Sequence, residues 1–380
     1  KIYINNMKFI VSSSAFFNHL QAISRVINSK NSLPILDCFH IKLQDGTLEL
    51  TASDNDTTLI TSLEVTEYEG DGSFAVSSKT LLEALKEIPE QPLSFTVDTN
   101  SLEITVRYQN GQYSLVGQNA NEYPTLPVLN EGAVRFNMGA DILLGGINRS
   151  IFATADDELR PVMNGIYFDI NTEDITLVAS DGHKLVRCKI FTPSQNEKAA
   201  FILPKKPANL LKNLLAKEQG DVNISFDDRN AMFTMESFCM ICRLIEGRYP
   251  NYNSVIPQNN PHKAIIDRVS FISALKRIAV FSPQSSNLVK LALNDNFIKI
   301  SAQDLDFSTS AEETINCQYS GSAMSIGFKS QFLIDILNNI SSQDVVCELA
   351  DPSRAGVIVP SEQEENEDLL MLLMPMMLND

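Results

Sequence analysis

The chain has 380 residues, which at roughly 100 to 200 residues per domain implies two or three domains and excludes a single small core. Its 30 Lys and Arg against 47 Asp and Glu give a net charge of -17, which excludes a protein that coats nucleic acid with its whole surface but not one with a locally basic face. With 44% hydrophobic and 20% charged residues, the composition is that of a globular protein rather than a disordered polyelectrolyte.

Cysteine spacing and apolar runs indicate the compartment. The 6 cysteines are scattered without the spacing of a small disulfide-rich domain, which predicts reduced thiols in a cytoplasmic protein. The longest apolar run, Leu369 to Leu378, is about half as long as a membrane span, so membrane insertion is not expected. Residues 1–6 precede a Met-Lys-Phe start and lack a signal-peptide core, so we set them aside as an addition to the native chain.

In chain order, the predicted elements recur with a period of about 125 residues, as in tandem repeats. Each copy begins with an amphipathic helix of pattern apolar-x-x-apolar-x-Arg, whose last residues are Arg25, Arg149 and Arg277. Alternating strands follow, such as 39–43 and 47–51, and a strand that ends at Asp54, Asp181 or Asp304. A strand that leads into a second, leucine-rich helix comes next, beginning at Phe74, Phe201 and Ile326.

Tyrosine-proline stops at Tyr123 and Tyr249 close the first two copies. The half-buried alternating strands predict antiparallel sheets, so the fold class is α+β with three tandem repeats of a domain that carries two helices. Polar connectors at 128–132 and 257–261 set the predicted domain boundaries, and the domains are 7–132, 133–260 and 261–380. The acidic run 362–368 predicts a hairpin tip.

A set of helix cations recurs at equivalent positions. On a helical wheel Arg25 lies opposite the apolar stripe that contains Phe16 and Leu20. The other members of the set are Arg149, Arg277, Lys79, Lys86, Lys205, Lys206 and Lys212. Each helix taken alone is equally consistent with an ordinary solvated face. Their recurrence favours a surface that attracts DNA phosphates without reading bases.

Domain size indicates how many chains such a surface needs. A compact domain of this length is roughly 35 Å across. Closing three such domains into a ring leaves a hole of about 5 Å, and six leave about 35 Å, whereas duplex DNA is roughly 20 Å wide. If the helix cations line a hole, two chains must share it.

From Met7 onward the chain resembles the bacterial DNA sliding clamps, the beta subunits of DNA polymerase III. The resemblance rests on several specific segments: Leu33-Pro-Ile-Leu36, Asp45-Gly-Thr-Leu-Glu-Leu50, Ser180-Asp-Gly-His-Lys-Leu185, Gly247-Arg-Tyr-Pro250 and Met374-Pro-Met-Met-Leu378. It implies a head-to-tail homodimer that forms a six-domain ring around double-stranded DNA, with helices lining the hole, and that tethers the replicative polymerase.

The resemblance also implies site residues. A hydrophobic pocket is expected to bind linear motifs of polymerases, the clamp loader and repair proteins, through Met163, Ser180, Gly182, His183, Lys184, Leu185, Pro250, Val255, Leu372, Met374, Pro375 and Met376. Lys30 matches a basic position that contacts DNA. The expected dimer seam places Tyr113 and Leu115 of one chain near Val280 and Phe281 of the other.

Three features depart from this pattern or leave it open. Met377 stands where relatives often carry a basic residue and Asn379-Asp380 extend past the usual end, so motif preference is left open. Asp156 and Asp157 fall where relatives tend to be neutral or basic. The run from Leu369 to Leu378 is alternatively a last core strand.

Catalytic chemistry has little support in the sequence. His183 lacks partners at metal-ligand spacing, and Cys239 and Cys242 lie in an apolar alternating strand without a second pair. The acidic turns at 54–56 and 156–158 are typical of solvated loops, and phosphate-binding glycine loops are missing. We therefore expect no enzyme, metal or cofactor. The alternatives are a metal-assisted hydrolase around His183 and Asp181, and a monomeric peptide-binding scaffold.

Overall fold

The computed structural model describes residues 6–65, 67–192 and 197–378. The chain divides into two compact units, which are Lys1–Leu143 with Asn209–Leu244, and Leu144–Ala208 with Ile245–Asp380. Of the expected N-terminal addition only Asn6 is described, as the first residue of a strand, and Asn379 and Asp380 also lie outside the described residues.

The first unit contains two antiparallel sheets. The strands of the smaller sheet are β1 (Asn6–Ser12), β5 (Tyr68–Glu69), β7 (Pro92–Asp98), β8 (Glu103–Tyr108) and β9 (Gly111–Val116), in the order β5-β1-β7-β8-β9. Those of the larger sheet are β2 (Cys38–Gln44), β3 (Thr47–Ser53), β4 (Thr57–Glu64), β6 (Gly72–Ser77), β10 (Val134–Gly139), β15 (Asp221–Phe226), β16 (Asn230–Thr234) and β17 (Phe238–Arg243). Their order is β10-β15-β16-β17-β4-β3-β2-β6.

The second unit also contains two antiparallel sheets. The strands of its larger sheet are β11 (Gly165–Ile170), β12 (Asp174–Ser180), β13 (Lys184–Phe191), β14 (Ala199–Pro204), β18 (His262–Asp267), β23 (Asp344–Leu349), β24 (Gly356–Pro360) and β25 (Glu367–Leu373). Their order is β14-β11-β12-β13-β25-β24-β23-β18. The smaller sheet has β19 (Leu288–Asn294), β20 (Phe297–Asp304), β21 (Thr309–Asn316) and β22 (Met324–Lys329), in the order β21-β20-β19-β22.

Two α-helices fall in each copy of the repeat. They are α1 (Ser13–Ser24), α2 (Ser78–Lys86), α3 (Ala140–Ser150), α4 (Lys205–Leu215), α5 (Arg268–Ala279) and α6 (Ser330–Asn338). Side-chain oxygens cap several N-termini: Ser12 Oγ accepts from the amide of Ala15 at 3.2 Å, and Asp267 Oδ1 accepts from the amide of Ser270 at 2.7 Å. No helix in the described parts of the chain is long and apolar enough to span a membrane.

Helix α1 shows how the predicted apolar stripes build the core. It buries Phe16, Leu20 and Ile23 completely. The ring of Phe16 packs edge-on against Phe95 at 5.3 Å, and Phe95 stacks on Phe9 at 4.7 Å. Each such side chain contributes about 1.5–3 kcal/mol by leaving water.

Each copy of the repeat supplies two sets of four strands, and sets from neighbouring copies join. The end strand β17 of the second copy pairs with β4 of the first, with Ile241 opposite Thr58. In the same way β25 of the third copy pairs with β13 of the second, with Leu372 opposite Leu185. The predicted α+β class with antiparallel sheets is therefore confirmed. The strands of the middle copy are divided between the two large sheets.

Candidate functional site

The turn between β12 and β13 forms one side of the candidate groove. Gly182 has a φ of +88°, and a Cβ at this position would lie 2.9 Å from the guanidinium of Arg160, so the turn requires glycine. The hydroxyl of Ser180 donates to the carbonyl of Lys184 at 2.8 Å and accepts from the amide of Gly182 at 3.1 Å. These contacts fix the backbone that presents His183 and Lys184.

A buried ion pair lies inside this turn. Lys184 Nζ is 2.5 Å from Asp181 Oδ2 and 4.0 Å from the ring centroid of Phe332. Burial opposes ionisation of Asp181, but hydrogen bonds from the Lys184 ammonium and from the amides of Lys184 and His183 outweigh it and hold the pKa of Asp181 below its usual value. Lys184 is therefore a fixed charge in the groove.

The last described residues form the opposite side of the groove. Leu369 to Leu373 belong to β25, as the core-strand alternative predicted, but residues 374–378 leave the sheet. The amide of Met374 donates to the carbonyl of His183 at 2.8 Å, and the amide of Met376 donates to the carbonyl of Gly327 at 2.8 Å. The side chain of Met374 stays 44% exposed.

The floor of the groove is apolar. Its buried cluster consists of Val178, Leu185, Ile202, Tyr249, Ile256, Ala355 and Leu372. Tyr167 stacks on Tyr249 with ring centroids 4.6 Å apart. From here on, the groove means this cluster together with the turn 180–185 and residues 374–378.

The predicted pocket residues are placed as follows. The cluster contains Leu185 and Leu372, and the two flanking segments contain Ser180, Gly182, His183, Lys184, Met374, Pro375 and Met376. Met163 is 7% exposed and directly follows Val162, which packs against the cluster. Pro250 and Val255 are exposed in the segment that holds Tyr249 and Ile256.

Sequence reasoning missed three residues beside the groove. Arg160 donates from Nη2 to the carbonyl of Asp181 at 3.4 Å and from Nε to Asp157 at 2.8 Å. The Nζ of Lys329 lies 4.5 Å from the centroid of Phe332. Lys329 ends the repeated strand-to-helix motif, which was a usable signal, whereas nothing in the pattern singled out Phe332.

The helix cations fall into two groups. Arg25, Lys30 and Lys79 are exposed, and among the described residues no carboxylate lies within 4.0 Å of them. Others are paired: Lys205 with Asp156 at 2.7 Å, Arg277 with Glu313 at 2.5 Å, and Arg149 with Glu364 at 3.9 Å and also with Glu367. The side chain of Arg149 is 18% exposed, and Lys206 is half-buried.

Two sheet edges remain open in the described parts of the chain. Strand β9 ends the five-stranded sheet and carries Tyr113 and Leu115, both half-buried. Strand β21 ends the four-stranded sheet. Val280 and Phe281, at the end of α5, are 77% and 38% exposed.

The catalytic candidates are engaged in local structure. Asp54 and Asp157 accept hydrogen bonds from amides of their own turns, and His183 lies against Phe332 with ring centroids 6.0 Å apart. Within the described residues no group of three or more His, Cys, Asp or Glu is arranged to hold a metal ion. Burial raises the pKa of the Cys242 thiol to about 12, which leaves it protonated and unreactive.

Comparison with known proteins identifies the family. The family models of the DNA polymerase III beta subunit match in order: the N-terminal domain over residues 7–127, the central domain over 138–251 and the C-terminal domain over 253–377. The chain belongs to the DNA polymerase III beta subunit family.

Beta sliding clamps of this family match over almost their whole length. The clamp of Pseudomonas aeruginosa is 26% identical over 374 residues, which are 98% of this chain and 100% of the relative. A crystal structure of a Pseudomonas aeruginosa clamp bound to griselimycin has a TM-score of 0.93 at 25% identity, with 98% of this chain and 100% of that chain covered. A Bartonella birtlesii clamp, also bound to griselimycin, has a TM-score of 0.91 at 28% identity, again with 98% and 100% covered.

The protein is therefore a sliding clamp of DNA polymerase III, built from three tandem clamp domains. Its family is a non-catalytic processivity factor, as expected from the lack of catalytic motifs.

Proposed function

We propose that two copies of the chain join head to tail into a ring that encircles duplex DNA. The observation that carries this proposal is the pattern of strand joins. Both internal joins pair the last strand of one set with the matching strand of a neighbouring copy, β17 with β4 and β25 with β13. The strands of the same two kinds that remain open are β9 and β21. A β9 to β21 join between two molecules uses both and leaves neither edge open.

The internal joins also give the register of the proposed join. Thr58 lies opposite Ile241 and Leu185 opposite Leu372. The positions that correspond to them in the repeat are Ser310 on β21 and Ser114 on β9. We expect Ser114 of one molecule to lie opposite Ser310 of the other. Tyr113 and Leu115 then flank the join, with Val280 and Phe281 of the second molecule covering them.

The helix cations supply the contact with DNA. Arg25, Lys30 and Lys79 are exposed and have no carboxylate partner among the described residues, so they offer charge to phosphates at low desolvation cost. Lys205, Lys206, Arg149 and Arg277 complete the proposed set, although Arg149, Lys205 and Arg277 must compete with their own carboxylates. Such contacts position DNA without reading its sequence.

The groove is the proposed docking site for linear motifs of the replicative polymerase, the clamp loader and repair proteins in the cytoplasm. Its apolar floor and the partly exposed Met374 suit apolar peptide anchors. Griselimycin is bound to the clamps of Pseudomonas aeruginosa and Bartonella birtlesii, which supports a ligand site in this protein as well.

The ring is tested by mass and by DNA topology. Sedimentation at micromolar concentration should give twice the mass of one 42.2 kDa chain. Clamps loaded on closed circular DNA should stay bound in buffer that strips them from the same DNA after it is cut once, because a ring slides off an end. A single-chain mass, or equal loss from circular and linear DNA, would refute encirclement and favour a monomeric scaffold.

A further inference from the structure

Two lysines converge on one aromatic ring beside the groove. Lys184 Nζ lies 4.0 Å and Lys329 Nζ 4.5 Å from the centroid of Phe332. The ring of His183 lies 6.0 Å from the same centroid. The negative face of an aromatic ring attracts ammonium groups, so Phe332 holds both charges near one point.

The two lysines differ in how their charges are balanced. Lys184 is 6% exposed and its charge is neutralised by Asp181 at 2.5 Å. Lys329 is half-buried and has no ion pair with any residue that the structure describes. One positive charge at this cluster therefore has no partner, and a carboxylate from a ligand is the group that would balance it.

The cluster lies where a peptide in the groove would pass. Lys184 and His183 belong to the turn that forms one side of the groove, and the carbonyl of His183 accepts the amide of Met374. Lys329 is two residues from Gly327, whose carbonyl accepts the amide of Met376. The unbalanced lysine is thus joined through the backbone to the opposite side of the groove.

The net charge of the chain does not prevent an anion from binding here. At physiological salt the screening length is about 8 Å, so a bound carboxylate responds to the charges next to it more than to the total of -17. The nearest charges are the neutral Lys184–Asp181 pair and the positive Lys329.

We infer that the groove selects linear peptides that carry an acidic side chain beside their apolar anchors, and that Lys329 on the face of Phe332 binds its carboxylate. This rests on the proposed peptide-docking function and names the chemistry that the site prefers. Lys329 is a specificity residue for the peptide, and the apolar floor supplies most of the affinity.

The test is a panel of short acetylated and amidated peptides with the same leucine and phenylalanine anchors. Each remaining position carries aspartate, asparagine or lysine in turn, and blocked ends remove the terminal carboxylate as a source of charge. At one position aspartate should bind about three- to tenfold tighter than asparagine, with lysine weakest. Lys329→Gln should abolish the difference between aspartate and asparagine there and leave the asparagine peptide unchanged.

Lys276→Gln is the matched control, because Lys276 is an exposed lysine of α5 outside the cluster and its loss changes the net charge equally. Equal affinities for aspartate and asparagine at every position, or equal losses in both variants, would overturn the inference. An advantage that appears only with a free peptide C-terminus would overturn it too. If no peptide in the panel binds, the docking function itself fails, which is a separate result.

Discussion

Asp181 Oδ2 and Lys184 Nζ lie 2.5 Å apart in the turn between β12 and β13, where their side chains are only 16% and 6% exposed. The same carboxylate accepts from the amides of His183 and Lys184 at 2.8 and 2.9 Å. One side chain therefore shapes the turn and balances a buried cation.

Removing this carboxylate charge should destabilise the protein. Asp181→Asn should lower the free energy of unfolding by roughly 3 kcal/mol at neutral pH, because it leaves Lys184 buried without its counter-charge. The folded state depresses the pKa of Asp181, so its contribution is complete above the unfolded pKa of about 3.9 and is lost as pH falls through the lower folded pKa. Urea titrations from pH 7 to pH 3 measure both effects.

The control is Glu362→Gln, which removes an exposed carboxylate. An Asp181→Asn variant with wild-type stability at neutral pH would show that the pair contributes nothing to folding.

The methionines at the groove should matter for peptide binding. Met374→Ala with Met376→Ala should weaken binding of an apolar-anchor peptide by roughly 1–3 kcal/mol, because a few partly buried anchors concentrate the energy of such interfaces. Fluorescence anisotropy measures the affinity, and sedimentation checks that assembly is intact. Met377→Ala is the matched control, since Met377 is 79% exposed. Equal effects of both changes would count against the groove.

The proposed register allows a covalent test of assembly. Cysteines introduced together at Ser114 and Ser310 should form disulfides between chains under mild oxidation, because directly opposed residues in antiparallel strands lie about 4.5–5.5 Å apart. Non-reducing electrophoresis should show the cross-linked species. Ser114→Cys combined with Glu312→Cys shifts one residue by two positions and should cross-link poorly. Equally efficient cross-linking of both pairs would contradict the register.

The helix cations should separate by function. Arg25→Glu should reduce DNA retention, most strongly at low salt where screening is weakest, and leave stability near wild type because Arg25 is exposed. Arg149→Met should instead lower the unfolding free energy by about 1–3 kcal/mol, because it leaves Glu367 without its partner. Salt-dependent retention assays and urea titrations distinguish them, and the reverse pattern would place Arg149 in the DNA contact.

Periodicity predicted the elements of the fold well, because each copy repeats the same local signals. The helices expected before Arg25, Arg149 and Arg277 are α1, α3 and α5. The sharing of sheets between copies was not predictable, because the alternating pattern of β4 fits any antiparallel neighbour. Only the three-dimensional structure shows that this neighbour is β17.

The site was harder to predict than the fold, because its contacts join distant parts of the chain. A helical wheel placed Arg149 on a polar face, but it cannot show that Glu367, 218 residues away, reaches this arginine. The acidic run 362–368 was predicted as a hairpin tip, and it does connect β24 to β25. Its carboxylates also hold Arg149 and Arg187. Phe332 was missed because its role depends on two lysines, Lys184 and Lys329, from different copies.

The division of the middle copy between two large sheets has a consequence for dissection of the protein. A fragment that contained this copy alone would lose the partners of both β13 and β17 and would present two long unprotected strands to solvent. Such strands pair with those of other molecules, so the fragment should aggregate rather than fold as an independent module. The segment that was copied in tandem is thus smaller than the segment that can be expressed by itself.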